Sequence, residues 1–147
     1  MEQKVMANDA EAVDAATRRF YAAIEDMVSG RGLATMEQAW HHTDRVTSKH
    51  PSGEWAQGWD EVWATWQVFA SFGRSDRGGG KLLSTQAHVY GDVAYSTSVF
   101  QAAPSWGGEV LMCTNVLLRI DGEWKVIHHH ADPAPKMAAA LEQMLHE

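Results

Sequence analysis

The chain has 147 residues, and its 12 lysines and arginines against 19 aspartates and glutamates give a formal charge of −7. That length suits one domain with one core, and an acidic balance disfavours nucleic acid or an anionic membrane as partner, because both need clustered positive charge. Apolar runs fall far short of a membrane span, Met1-Glu2-Gln3-Lys4 carries no apolar signal core, and the lone Cys113 excludes an intrachain disulfide or a cysteine-based zinc site, so the expectation is a cytoplasmic protein with one domain over 1–147.

Asn8 is predicted to open the first helix, with Glu11 at capping-box spacing. Val13, Ala16, Phe20, Ile24 and Met27 then recur at steps of three and four, a single apolar stripe with Tyr21 beside it. Ser29-Gly30-Arg31-Gly32 ends that helix, since glycine accepts the left-handed C-terminal position. Leu33, Met36 and Trp40 predict a short second helix, followed by an extended piece over 44–50. Proline biases the preceding His50 towards extended backbone, and Pro51-Ser52-Gly53 suits a turn. Gly58 precedes a third helix whose stripe of Trp59, Val62, Trp63, Trp66 and Ala70 forms a bulky apolar wall. The glycine-rich segment 73–80 predicts a mobile loop.

From Lys81 onward the pattern is strand-like. Gly91-Asp92, the segment 104–108 and Asp121-Gly122 read as turns, predicting four sequential antiparallel strands near 81–90, 92–103, 109–120 and 123–131. Pro133 and Pro135 end the last strand, and Met137, Leu141, Met144 and Leu145 predict a tail helix within 132–147. If the Asp121-Gly122 turn carries a glycine bulge, Thr114 pairs with His128 and Val116 with Val126. One face then collects Val110, Met112, Thr114, Val116, Leu118, Trp124, Val126, His128 and His130, and the other Cys113, Asn115, Arg119, Lys125 and His129. The first set is the more apolar and is assigned to the interior. A two-residue turn instead pairs Val116 with Ile127 on the His129 face, so the register decides which imidazoles look inward.

Three helices followed by a strand meander, with His50-Pro51-Ser52-Gly53 ahead of the third helix, Gly58 opening it, Val89-Tyr90-Gly91-Asp92-Val93-Ala94 and the run from Asp121 to His130, resemble the nuclear transport factor 2-like superfamily and its SnoaL-like group. The resemblance implies an α+β fold, a cone-shaped curved antiparallel sheet wrapped around the N-terminal helices with a pocket at its open end. It also implies a homodimer through the sheet. Members include isomerases, polyketide cyclases, dehydratases, hydrolases and non-catalytic proteins, so the fold implies a site rather than a reaction. Ketosteroid isomerase, a member, carries an aspartate base before a Pro-x-Gly turn and an oxyanion hole of tyrosine and protonated aspartate. His50 occupies the base position here, Tyr21 matches the tyrosine of the first helix, and the aspartate's place falls on Val116, so a steroid-isomerase assignment is not supported.

The chemistry on offer is that of histidine, the side chain best suited to exchange protons near neutral pH. Desolvation lowers its pKa and favours the neutral base. His50 is the candidate base, Tyr21 the candidate donor to a developing enolate, and His128 the candidate acid or second base, with His130 beside it in the pocket. Trp40, Trp59, Trp63, Trp66 and Val116 are the candidate lining for a small apolar or aromatic ligand. His128 and His130 have the spacing of a zinc-chelating pair if His50, His41, His42 or Asp44 supplies a third ligand, but no HExxH or cysteine pattern accompanies them, and no metal or cofactor is expected. Gly78-Gly79-Gly80 lacks the Lys-Ser/Thr of a phosphate loop. The expected function is therefore cofactor-independent acid–base catalysis on an apolar carbonyl compound, as in an isomerase, cyclase or dehydratase. The alternatives are a non-catalytic ligand-binding domain or a dimerisation domain.

Overall fold

In the computed structural model, which describes residues 8–51, 53–72, 80–104, 107–133 and 143–146, the first apolar stripe becomes helix α1 (Asp9–Val28). It buries Val13, Phe20, Ile24 and Met27, and Tyr21 as well. Asn8 makes no side-chain capping bond, so the capping box read from the sequence does not form. Helix α2 (Ala34–Ala39) buries Met36. Helix α3 (Trp59–Ser71) buries Val62 and Trp66. Gly58 starts α3 at φ 84°, a conformation costly for other residues, and its N–H donates to the Val46 carbonyl at 2.7 Å while that of Trp59 donates to Thr43 at 2.9 Å.

The six strands are β1 (Thr47–Lys49), β2 (Trp55–Gln57), β3 (Lys81–Tyr90), β4 (Val93–Gln101), β5 (Val110–Ile120) and β6 (Glu123–Pro133). They form one curved, unclosed sheet in the order β2-β1-β6-β5-β4-β3. The four long strands pair antiparallel, as expected. The extended piece before the Pro-Gly turn does more than connect, because β1 joins the sheet parallel to β6 and sets Ser48 opposite His129. The expected loop over 73–80 and tail helix over 132–147 lie largely outside the described residues; Gly80 has a φ of 100°, and Gln143–Leu145 form a helical turn.

The β5–β6 hairpin closes through Asp121 at φ 52° and Gly122 at φ 81°, a two-residue turn with both residues left-handed. Ile120 pairs with Glu123 and Leu117 with Val126, but the next pair is Val116 with His128. Ile127 is therefore an extra residue, a β-bulge in mid-strand. Below it Trp124 and Val126 point into the core; beyond it His129 and Ala131 do. Neither register considered from the sequence contains this bulge. The interior face is Leu111, Cys113, Asn115 and Leu117 on β5, all at most 9 % exposed, so the assignment of Val116, His128 and His130 to the interior is corrected. Those three lie half-buried on the outer face.

Candidate functional site

Between α1, α3 and the far half of the sheet lies a cavity of about 620 Å³, within the range of small-molecule sites. Its walls are mostly apolar: Ile24, Trp66, Phe69, Phe72, Phe100 and Leu111. Its polar members are Tyr21, His50, Glu109, Cys113 and His129. The sheet and the helices meet here because the inward residues of β1 and β6 beyond the bulge face the α3 stripe.

His50 follows β1 and is 7 % exposed. The Gly53 N–H donates to its carbonyl at 3.0 Å, the turn expected after Pro51. Its Nε2 lies 2.9 Å from Thr65 Oγ1, and Thr65 gives its own hydroxyl proton to the Val62 carbonyl at 2.6 Å. A hydroxyl has one proton, so towards His50 the Thr65 oxygen accepts; Nε2 carries the imidazole proton and Nδ1 is bare. The ring packs edge-on against Trp66 and Phe69, each with centroids 4.6 Å away. Burial first, then the charge of Lys49, lowers its pKa from 6.5 to about 4, so it is neutral at physiological pH.

His129 is the residue the sequence reading left out. It is 2 % exposed, its centroid is 5.8 Å from that of His50, and Phe20 packs against it at 4.7 Å. Nδ1 donates to Asn115 Oδ1 at 2.5 Å across the β5–β6 pair, which leaves Nε2 bare. Burial, reinforced by His50, His128 and His130, holds its pKa well below the ordinary histidine value.

Tyr21 contributes its ring to the wall, stacked on Phe100 at 5.1 Å. Its hydroxyl is buried with no partner at hydrogen-bonding geometry among the described residues, and the Cys113 thiol and Ser98 are its neighbours. Burial, then Cys113, raises the Tyr21 pKa well above 10, and burial pushes the Cys113 thiol up to about 11, so both stay protonated. Asn115 Nδ2, Ser48 Oγ and Trp66 Nε1 are likewise buried without a hydrogen-bond partner among the described residues.

Of the residues singled out by sequence, His50, Tyr21 and Trp66 line this cavity, whereas Trp40, Trp59, Trp63, Val116, His128 and His130 do not. Trp40 is buried behind Phe20, its backbone bridged to Val126. Trp59 stacks on Trp63 at 5.3 Å and on His42 at 4.0 Å, along the opposite flank of α3. On the outer face His128 Nδ1 lies 2.7 Å from Thr47 Oγ1, and His130 Nε2 lies 2.6 Å from Asp132, with exposed Trp55 against both rings. His50 is on the other side of the sheet, so the chelating pair gains no third ligand there. Among the described residues no group of three or more histidine, cysteine or acidic side chains is placed to hold a metal. No helix among them is long and apolar enough to cross a membrane.

The profile of the SnoaL-like domain matches residues 13–134. The F-box protein SKIP8 of Arabidopsis thaliana is 28% identical over 120 residues, covering 82% of this chain and 48% of that protein, so the chain spans about half the length of this curated relative. Among solved structures, a candidate dehydratase of the NTF2-like family from Streptomyces avermitilis superposes with a TM-score of 0.70 at 23% identity, over 86% of this chain and 97% of that one. A candidate ketosteroid isomerase from Parabacteroides distasonis gives 0.68 at 16% identity over 92% and 96%. A protein with a cystatin-like fold from Caulobacter vibrioides gives 0.67 at 15% identity over 93% and 97%. These structural likenesses carry the fold.

Proposed function

The chain belongs to the SnoaL-like family, and from that premise we propose that it binds a small apolar carbonyl compound in the cavity and moves a proton on it without a cofactor, as an isomerase, cyclase or dehydratase does. The observation that carries this reading is the pair of neutral, desolvated imidazoles, His50 and His129, 5.8 Å apart in an aromatic hollow. A solvated histidine is largely bound by water, whereas a buried neutral one presents its lone pair to the ligand. His50 Nδ1 takes a proton from the carbon next to the carbonyl, the C–H electron pair passes into the enolate, and the Tyr21 hydroxyl, turning from its neighbours Cys113 and Ser98, donates to the enolate oxygen. Return of the proton to another carbon, or loss of a β-hydroxyl as water, completes an isomerisation or a dehydration. His129 takes the place that the sequence reading gave to His128.

The test is hydrogen–deuterium exchange at the α-carbon of a panel of cyclic and aryl ketones in deuterated water, followed by NMR. Exchange accelerated by the wild type and abolished by His50→Gln supports catalysis. Binding without accelerated exchange overturns it in favour of a non-catalytic pocket. The neighbours described as a dehydratase and a ketosteroid isomerase favour the catalytic reading. We further propose that two copies pair through the outer sheet face, where Val93, Val110 and Met112 are each 44–49 % exposed. Light scattering should report a dimer, and Met112→Glu a monomer; a monomeric wild type overturns this.

A further inference from the structure

We infer that Thr65 and Asn115 lock the two cavity imidazoles in opposite tautomers, so that the site offers a ligand two proton-accepting nitrogens and selects neutral compounds bearing an O–H or N–H group over anions. The inference rests on the reading of the cavity as a ligand site. The lock on His50 is a chain of two hydrogen bonds: Nε2–H to Thr65 Oγ1, then Thr65 O–H to the Val62 carbonyl, which as an acceptor inside a helix has no proton to return. The lock on His129 is the single bond from Nδ1–H to Asn115 Oδ1, buried with the strand pair that supplies both residues. What remains is Nδ1 of His50 and Nε2 of His129, each a lone pair on a ring that lines the cavity.

The surroundings reinforce the choice. Among the described residues that line the cavity there is no lysine or arginine, and Glu109 stands at the wall, so an anion lying against them loses its hydration without gaining a cation. Both imidazoles stay unprotonated at neutral pH because burial disfavours their charge, so neither supplies that cation. A ligand hydroxyl satisfies a bare nitrogen, while a methyl ether of the same shape leaves it desolvated and unpaired.

Calorimetric titration with para-propylphenol, its methyl ether and para-propylbenzoate tests the selection. The phenol is expected to bind about tenfold or more tighter than the ether, a difference of one desolvated hydrogen bond, and the benzoate more weakly than the phenol. Nitrogen NMR of the wild type reads the tautomers directly, and Nε2–H is expected on His50 and Nδ1–H on His129. Thr65→Val should mix the His50 tautomers and shrink the phenol-to-ether ratio severalfold, whereas Thr65→Ser should preserve both. Equal affinity for phenol and ether, tightest binding of the benzoate, or a wild-type His50 protonated on Nδ1 would overturn the inference. These readings need no turnover. If the ranking holds while ketone exchange fails, the catalytic reading alone falls. If none of the probes binds the folded protein, the ligand-site reading falls and takes this inference with it.

Discussion

His128, His129 and His130 are consecutive and chemically identical, yet the sheet divides them into two environments. On the inner face His129 is sealed among Phe20, Trp66 and Asn115 and kept neutral. On the outer face His128 and His130 lie against exposed Trp55 and reach Thr47 and Asp132. The outer pair meets partners that water could replace. The inner one meets partners that nothing replaces, because the loss of any of them strands a buried polar group. The difference predicts that stability and ligand affinity depend mainly on the inner side of the sheet.

The largest contrast should come from tryptophan. Trp66→Ala empties an indole site that is 1 % exposed and is expected to cost about 3–5 kcal/mol in urea unfolding, whereas Trp55→Ala, at 59 % exposure, should stay within about 0.5 kcal/mol. Similar losses for both would erase the distinction.

The pH response comes next. His50 titrates near 4 in the fold and near 6.5 when unfolded, so between those values the unfolded chain binds the extra proton and acid favours unfolding. Stability is complete above about pH 6.5 and falls as the pH drops towards 4, by on the order of 3 kcal/mol from His50 alone. His129, lowered in the same direction, adds to the loss. His50→Gln should flatten a stability–pH curve followed by thermal denaturation, and an unchanged slope would remove His50 as its source.

Asn115→Ala removes the acceptor of the His129 Nδ1–H bond and should cost about 1–3 kcal/mol, read by denaturant midpoint. The smallest effect belongs to Asp132→Asn, which weakens a half-buried contact with His130 and Lys49 and should cost less than about 1 kcal/mol. A larger loss there would place Asp132, the strand neighbour of Met112, within the proposed contact between two copies.

The helices were legible because their stripes are long: Val13, Phe20 and Ile24, or Val62 and Trp66, repeat often enough to fix one face. The hairpin turns were legible because Gly91-Asp92 and Asp121-Gly122 supply the backbone freedom that such turns require. His50 and Tyr21 were placed in a pocket by the resemblance to ketosteroid isomerase, whose base precedes a Pro-x-Gly turn and whose tyrosine lies on the first helix, and both line the cavity. The parallel strand β1 could not be read as such, since three residues show no periodicity and its pairing partner lies some 80 positions away in the chain. The bulge left no mark either, because Ile127 looks like any other strand residue, and with it went the identity of the inward histidine. One signal was present: Asn115 and His129 fell on the same face in the sequence reading, and two polar residues that can satisfy each other tolerate burial better than two lone imidazoles. Trp59 and Trp63 shared the α3 stripe but not its fate, because a stripe this wide covers both the core-facing side and the flank where His42 waits.

The irregularity at Ile127 also uncouples the two halves of the last strand. Its hairpin end keeps the helices in place through Trp124 and Val126, while its far end carries the imidazole chemistry, and the phase of one no longer dictates the phase of the other. Deleting that isoleucine would leave a regular strand with both halves facing as they do now. Straightening the strand without shortening it would instead hand the cavity two imidazoles in place of one. A local slip alone thus separates two different proton inventories, and the helix-packing end stays as it is in both.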